Sequence, residues 1–246
     1  MAFYEREKKI LGLLAREESC GVNTLAQKLY ISLPTMRRDL AKLESSGKII
    51  RSHGKVSLVK KSGDTEIPFV FREQEQYAAK SVMAQKASRL VSDGSVIMLD
   101  GTTSAYHVIA EISELKNLVV ITSGTMASYY LGKLGIRNIC TGGRMVDGSF
   151  SYVGDDCIRT VQSYNADVLF FSCRGLSDDG YLSDNSLEEN AVRRAMMKQA
   201  KKKILLCDSS KIGKKYLHNL CHISEIDEVI CECELPEHLQ RLLKRQ

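Results

Sequence analysis

The chain contains no apolar run approaching the roughly 20 residues needed to cross a bilayer, which excludes a membrane-spanning helix. Its N-terminus lacks the charged, apolar and small-residue succession of a secretory signal, which argues against export. No Cys-x-x-Cys pair occurs among the eight cysteines. Cys231-Glu232-Cys233 is too tightly spaced for an ordinary zinc pair and reads as packing near a strand end. Scattered cysteines in an unexported chain read as reduced cytosolic thiols, so the cytoplasm is the expected location, with no metal and no cofactor.

What is present is ordinary globular composition. Of 246 residues, 43% are hydrophobic and 26% charged, enough for a sizeable core and more than one domain. The charge is unevenly spread. Residues 1–60 carry twelve basic and six acidic side chains, a net of +6, and the remainder is −1. A polyanion would therefore dock on the N-terminal quarter.

That quarter is organised around Ser32 to Glu44. Ser32 is placed to cap a helix, and Pro34 fits a first turn, where its missing N–H costs little. Met36, Leu40 and Leu43 recur at helical spacing and form an inward stripe. Thr35, Arg38 and Lys42 lie on another face with Arg37 beside them, and Gly47 is a C-terminal stop. A short helix presenting Thr and paired Arg suits the major groove, where Arg bonds guanine edges or phosphates. Upstream, Tyr4, Ile10, Leu11, Leu13 and Leu14 mark a first helix, which Gly21 breaks. Val22–Tyr30 is a second, with Asn23 as its cap and Leu25, Ala26 and Leu29 facing in. The tight turn at Tyr30-Ile31-Ser32 makes the pair a helix-turn-helix, at about residues 20–39. Residues 48–59 read as two short strands around His53-Gly54, a wing with Arg51, His53 and Lys55 near its tip.

The pattern Ser32-x-x-Thr35-x-Arg37-Arg38-Asp39-Leu40-x-x-Leu43-Glu44-x-x-Gly47, followed by Arg51-x-His53-Gly54, resembles the DeoR family of bacterial transcription regulators. Lys55 stands where members commonly carry a second glycine. The candidate DNA-binding residues are Ser32, Pro34, Thr35, Arg37, Arg38, Lys42, Arg51, His53 and Lys55.

Residues 60–65 are polar and include Gly63, a hinge. A long helix is expected from Phe71 to about Ser92, with Met83, Ala87, Leu90 and Val91 inward and Asp93-Gly94 ending it. It would bridge two domains and pack against a second subunit. Beyond it, apolar runs at 96–99, 118–121, 139–140, 168–171, 204–206 and 228–230 alternate with helical stretches near 104–114, 124–134, 187–201 and 236–244. This alternation implies a parallel sheet covered on both faces. The expected fold class is therefore α/β: a winged helix-turn-helix domain over 1–60, a linker and bridging helix over 61–92, and a larger Rossmann-like effector domain over 93–246.

In such folds ligands collect at the carboxyl ends of the strands. Five loops there carry small hydroxyl or glycine residues: 100–104, 122–125, 141–144, 172–175 and 208–211. Arg144, Arg174 and Lys211 add cations, and Asp100 with Glu188 or Glu189 could accept hydroxyl protons. Together they favour a phosphate-bearing polyol or sugar. The candidate effector residues are Asp100, Gly101, Thr102, Thr103, Ser104, Thr122, Gly142, Gly143, Arg174, Glu189 and Lys211.

The DeoR resemblance extends here through Leu99-Asp100 with its hydroxyl loop, Gly142-Gly143, Ala166-Asp167, Arg194-x-Met196-Met197 and Asp208-Ser209-Ser210-Lys211. It implies a sugar-phosphate-isomerase-like fold and a phosphorylated sugar as effector, bound through Asp100, Thr102, Thr103, Ser104, Gly142, Gly143 and Lys211. Two departures touch the site: Gly101 follows Asp100 directly, and Ser123 stands where asparagine is common. The resemblance also implies double-stranded operator DNA as partner, a homodimer or homotetramer, and repression of a carbohydrate-utilisation operon. Two other readings use the same residues. One is a sugar-phosphate isomerase, with a carboxylate base and Lys211 steadying an oxyanion. The other is a winged helix that binds a protein.

Overall fold

The computed structural model describes residues 3–17, 19–45, 48–52, 54–58 and 68–244. The chain divides into two units, residues 1–75 and 76–246. No helix among the described residues is long and apolar enough to cross a membrane.

In the first unit, α1 (Phe3–Arg16) is followed by β1 (Cys20–Gly21), α2 (Val22–Lys28) and α3 (Leu33–Ser45). Then come β2 (Ile49–Ser52), β3 (Lys55–Leu58) and α4 (Phe69–Gln74). Ile10, Leu11 and Leu14 of α1 meet Leu25, Met36, Leu40 and Leu43 in one buried cluster. Burying each such side chain contributes about 1.5–3 kcal/mol. The short turn between α2 and α3 needs a left-handed residue. Tyr30 supplies it at φ +53°, with its ring 97% exposed.

Three readings change here. Gly21 does more than break a helix, because β1 pairs antiparallel with β3, giving the sheet order β1-β3-β2. With the chain passing from strand straight into α2, Gly21 takes the cap position and Asn23 lies inside the helix. The expected 71–92 helix is two helices. Gln76, at φ +51°, separates α4 from α5 (Tyr77–Ser88). Phe71, expected in the bridge, is buried in the first unit's core. The first unit thus ends at Glu75, past the expected boundary of 60. His53, Gly47 and the 60–65 hinge lie outside the described residues.

The second unit continues with β4 (Val96–Leu99), α6 (Thr103–Glu111), β5 (Val119–Thr122), α7 (Thr125–Lys133) and β6 (Arg137–Cys140). A short hairpin, β7 (Arg144–Met145) and β8 (Tyr152–Val153), precedes α8 (Asp155–Gln162) and β9 (Ala166–Phe171). Next are β10 (Gly175–Leu176), β11 (Tyr181–Asp184), α9 (Leu187–Gln199) and β12 (Ala200–Leu206). The unit closes with β13 (His218–His222), β14 (Glu228–Ile230) and α10 (Glu237–Leu243).

Six of these strands form one parallel sheet in the order β14-β12-β9-β4-β5-β6. Alternate residues of a strand face opposite sides, so both faces must be covered. Ile97 and Leu99 pack with Met83 and Ala87 of α5 and Val108 of α6. Met98, between them, packs in the other layer with Val161 of α8 and Met196 of α9. The chain leaves β4 towards β5 on one side and returns as β9 on the other. That reversal puts a crevice at the carboxyl ends of β4 and β9, where open parallel sheets hold ligands.

Candidate nucleic-acid interface and effector site

The helix α3 is positioned by its buried side. Besides Met36, Leu40 and Leu43, that side buries Asp39. Arg6 of α1 grips Asp39 with two hydrogen bonds, Nε to Oδ2 at 2.6 Å and Nη2 to Oδ1 at 3.1 Å. This fork geometry fixes angle as well as distance. It also holds the guanidinium pKa above its ordinary value, chiefly through the hydrogen bond to Asp39. On the opposite side Pro34, Arg37, Arg38 and Lys42 are exposed, and Thr35 is half-buried. Ser32 Oγ donates to Thr35 Oγ1 at 2.9 Å across the first turn. Lys42 lies over the Phe3 ring, 4.7 Å from its centroid.

In the wing, Gly54 turns at φ +77° and Lys55 is exposed at the start of β3. Arg51 is engaged within the protein. Its Nη2 donates to the Arg37 carbonyl at 3.2 Å, and its Nε lies 3.3 Å from Glu44. It therefore ties the wing to α3.

In the second unit, Asp100 leaves β4 at the centre of the crevice and is buried. Its Oδ1 accepts from the Thr102 backbone N–H at 3.1 Å and from the Thr102 hydroxyl. Its Oδ2 accepts from the Ser172 N–H at 3.2 Å, so it joins the loops after β4 and β9. Thr102 also caps α6, accepting from Ala105 N, and Thr103 and Ser104 form the first turn behind it. Lys211 brings the fifth loop to the same place. Its Nζ reaches Ser172 Oγ at 2.8 Å, Ser104 Oγ at 3.3 Å and Asp208 Oδ2 at 3.2 Å. Burial raises the Asp208 pKa, but Lys211 outweighs it and holds the carboxyl below its ordinary value, helped by Ser210 and Lys80.

Gly101 is required by packing. A Cβ there would stand 2.4 Å from Ser151 Cβ, far inside contact distance. Ser151, on the hairpin segment, also donates to Glu189 Oε1, as does Ser149 at 3.2 Å. Glu189 is thus buried behind the loop, whereas Glu188 is exposed and paired with Arg144. Thr122 Oγ1 accepts from Gly124 N at 3.0 Å and is fully buried. Gly142 and Gly143 turn at φ +67° and +106°, and a Cβ on Gly143 would meet the Val153 carbonyl at 2.6 Å. Arg174 is half-buried, 3.5 Å from Asp184 and stacked over Tyr216.

Arg193 is the residue that sequence reasoning missed. Buried on α9, it donates through Nε to Asp100 Oδ2 at 3.0 Å and through Nη1 to Asp184 Oδ2 at 2.9 Å. Nη1 also reaches Asn190 Oδ1 at 3.0 Å. Burial opposes its charge, but Asp184 and Asp100 outweigh it and raise its pKa. Burial likewise raises the Asp184 pKa, and Arg193, with help from the Asn185 N–H and Arg174, brings it below the ordinary range. The signal was present: Glu189 and Asn190 stand four and three residues before Arg193, the spacings at which helical side chains meet. Lys80 of α5, buried near Asp208, was missed too.

This arrangement offers a cation, two hydroxyls and a helix N-terminus at one mouth, backed by a carboxylate locked in place. It suits an anionic, hydroxyl-bearing ligand.

A model of the DeoR C terminal sensor domain matches residues 75–232, and one of the DeoR-like helix-turn-helix domain matches residues 6–62. The chain is similar to the L-fucose operon activator of Escherichia coli K12, 29% identical over 229 residues, spanning 92% of this chain and 94% of the relative. It is also similar to the putative aga operon transcriptional repressor of Escherichia coli O157:H7, 27% identical over 238 residues, spanning 94% and 87%. A solved structure, the tetrameric eIF2B-beta2-delta2 complex from C. thermophilum, superposes with a TM-score of 0.50 at 17% identity. It covers 64% of this chain and 56% of that one, and the likeness is one of fold alone.

Proposed function

The chain belongs to the DeoR family of DNA-binding transcriptional regulators, and we propose that a phosphorylated sugar bound over β4 and β9 controls its hold on an operator. The observation that carries this reading is the Lys211 ammonium, held within reach of the Ser104 and Ser172 hydroxyls at the mouth of the crevice. A phosphate would replace those hydroxyls as its partner, while Thr102, Thr103 and the N-terminus of α6 donate to the remaining oxygens. Gly142, with open space where a side chain would stand, leaves room for the sugar, Gly101 and Gly143 let the loops pack closely behind it, and Arg174, Thr122 and Glu189 shape the surrounding loops.

On this reading the regulated genes serve carbohydrate use, and the unliganded protein represses them. Relatives named for a fucose operon and an aga operon support the sugar class. The first of those names is an activator's and the second a repressor's, so polarity is tested directly. Ser32, Pro34, Thr35, Arg37, Arg38 and Lys42 face the major groove in this reading, and Lys55 and His53 meet phosphates from the wing. The protein works in the cytoplasm as a homodimer or tetramer, with recognition helices about 34 Å apart or a multiple of that.

The test is a thermal-shift screen of sugar phosphates against their parent sugars. A ligand that binds the folded state raises its apparent stability. A phosphorylated sugar should stabilise the protein, its free sugar should do so far less, and Lys211→Ala should abolish the difference. Gel shifts on operator DNA with and without that ligand then give the direction of control. Equal shifts from a sugar and its phosphate would overturn the reading.

A further inference from the structure

Cys231-Glu232-Cys233 follows β14, the last strand at one edge of the large sheet. Its i, i+2 spacing argues against a shared ion when only the sequence is considered. In the fold the backbone brings the two sulfurs to 3.4 Å, and Cys231 Sγ lies 3.2 Å from Glu232 Oε2. One donor atom from each of the three residues falls within 4.8 Å of the others. Two thiolates on one tetrahedral zinc, each at about 2.3 Å, stand about 3.8 Å apart. The observed sulfurs therefore need to separate by only about 0.4 Å to admit the ion between them.

The third donor is held in advance. Both Glu232 carboxylate oxygens accept from the Ser209 backbone N–H at 3.1 Å. The Cys231 carbonyl is anchored by Lys86 Nζ at 2.7 Å. That ammonium repels a cation, but metal binding releases both thiol protons to solvent, and the resulting two thiolates and the carboxylate bring three negative charges against it. Cys231 is buried while Cys233 is exposed, so the site opens to solvent on one side, from which water would complete the coordination of a bound ion. We propose that Cys231, Glu232 and Cys233 form a binding site for a thiophilic divalent cation of the zinc class. The site lies on the loop that abuts Ser209, two residues from Lys211, so occupancy bears on the effector loop. The metal site itself does not depend on the sugar-phosphate reading.

The probe is cobalt(II), titrated into the reduced, full-length protein prepared without a metal-affinity tag, then displaced with zinc(II). Expected is one equivalent of cobalt per chain with a thiolate-to-cobalt charge-transfer band, lost on adding zinc. Cys233→Ser, at an exposed position, should remove the band without changing the far-ultraviolet circular dichroism. Cys231→Ser should do the same and Glu232→Gln should weaken binding, whereas Cys140→Ser should leave it intact. Absence of the band in the parent protein, or its survival in Cys233→Ser, would overturn the proposal. Loss of the band in Cys140→Ser alone would overturn it as well.

Discussion

Arg193 and Asp100 meet in a buried ion pair at 3.0 Å although 93 residues separate them. One comes from α9 and the other from the end of β4, so the pair fastens a covering helix to the floor of the crevice. Removing one partner of a buried pair leaves the other charged and unsolvated, a loss of about 3–5 kcal/mol. Arg193→Ala should therefore lower the larger unit's stability by that order, read from urea denaturation. Ligand-induced stabilisation should fall with it, because Asp100 and Asp184 both lose their guanidinium. An unchanged denaturation midpoint would mean that the pair holds nothing together.

Gly101→Ala should disturb the same floor by another route. Its new Cβ would sit 2.4 Å from Ser151 Cβ, and overpacking of this kind costs about 1–3 kcal/mol. Adding Ser151→Gly should recover part of that loss in a double-mutant cycle. Recovery would be incomplete, because the Ser151 hydroxyl to Glu189 disappears as well. Strictly additive effects would show that the two residues do not collide.

The acid side of the stability curve should report on Asp184. Its folded pKa is depressed, so its contribution is fully present above the unfolded value of about 3.9. It is lost as pH falls from there through the lower folded value. Stability of the larger unit should drop steeply below about pH 4. Asp184→Asn should be less stable at neutral pH yet show a shallower acid slope. Parallel slopes for the two proteins would locate the titrating group elsewhere.

On DNA, Arg38→Ala should weaken a specific operator by roughly 1–3 kcal/mol and relax sequence preference. Lys55→Ala should weaken all duplexes about equally and reduce the salt slope by about one unit. Arg51→Ala should behave differently from both, since Arg51 is committed to Glu44 and the Arg37 carbonyl. Its loss should loosen the wing against α3 and be visible in hydrogen exchange of β2 without any DNA present. Fluorescence anisotropy at two salt concentrations separates the three cases.

The alternation of apolar runs and helical stretches made the large sheet legible. Each of its six strands overlaps an expected run, because the buried part of a parallel strand is rich in Val, Ile, Leu and Phe, although edge strand β6 offers only Ile139 and Cys140. The candidate effector residues Asp100, Thr102 and Lys211 stand one, three and five residues after such runs, and the fold brings their loops together at the crevice. Other parts left little trace. β7, β8 and β10 have two residues each, too few for any periodicity. Helix α8, Asp155 to Gln162, buries little beyond Cys157 and Val161. Arg193 looked like one more charge on a charged helix. Its importance comes from Asp100 and Asp184, which approach it only in three dimensions.

Phe71 changes where the DNA-binding head can be cut. A fragment trimmed at residue 60 would lose α4 and with it the aromatic ring that fills the space beside α1, leaving a greasy notch facing water. Such an amputated head would be prone to clump or melt, and a poor grip on duplex by it would say nothing of the intact protein. A fragment that keeps Phe71 in place runs to Glu75, where the first unit ends.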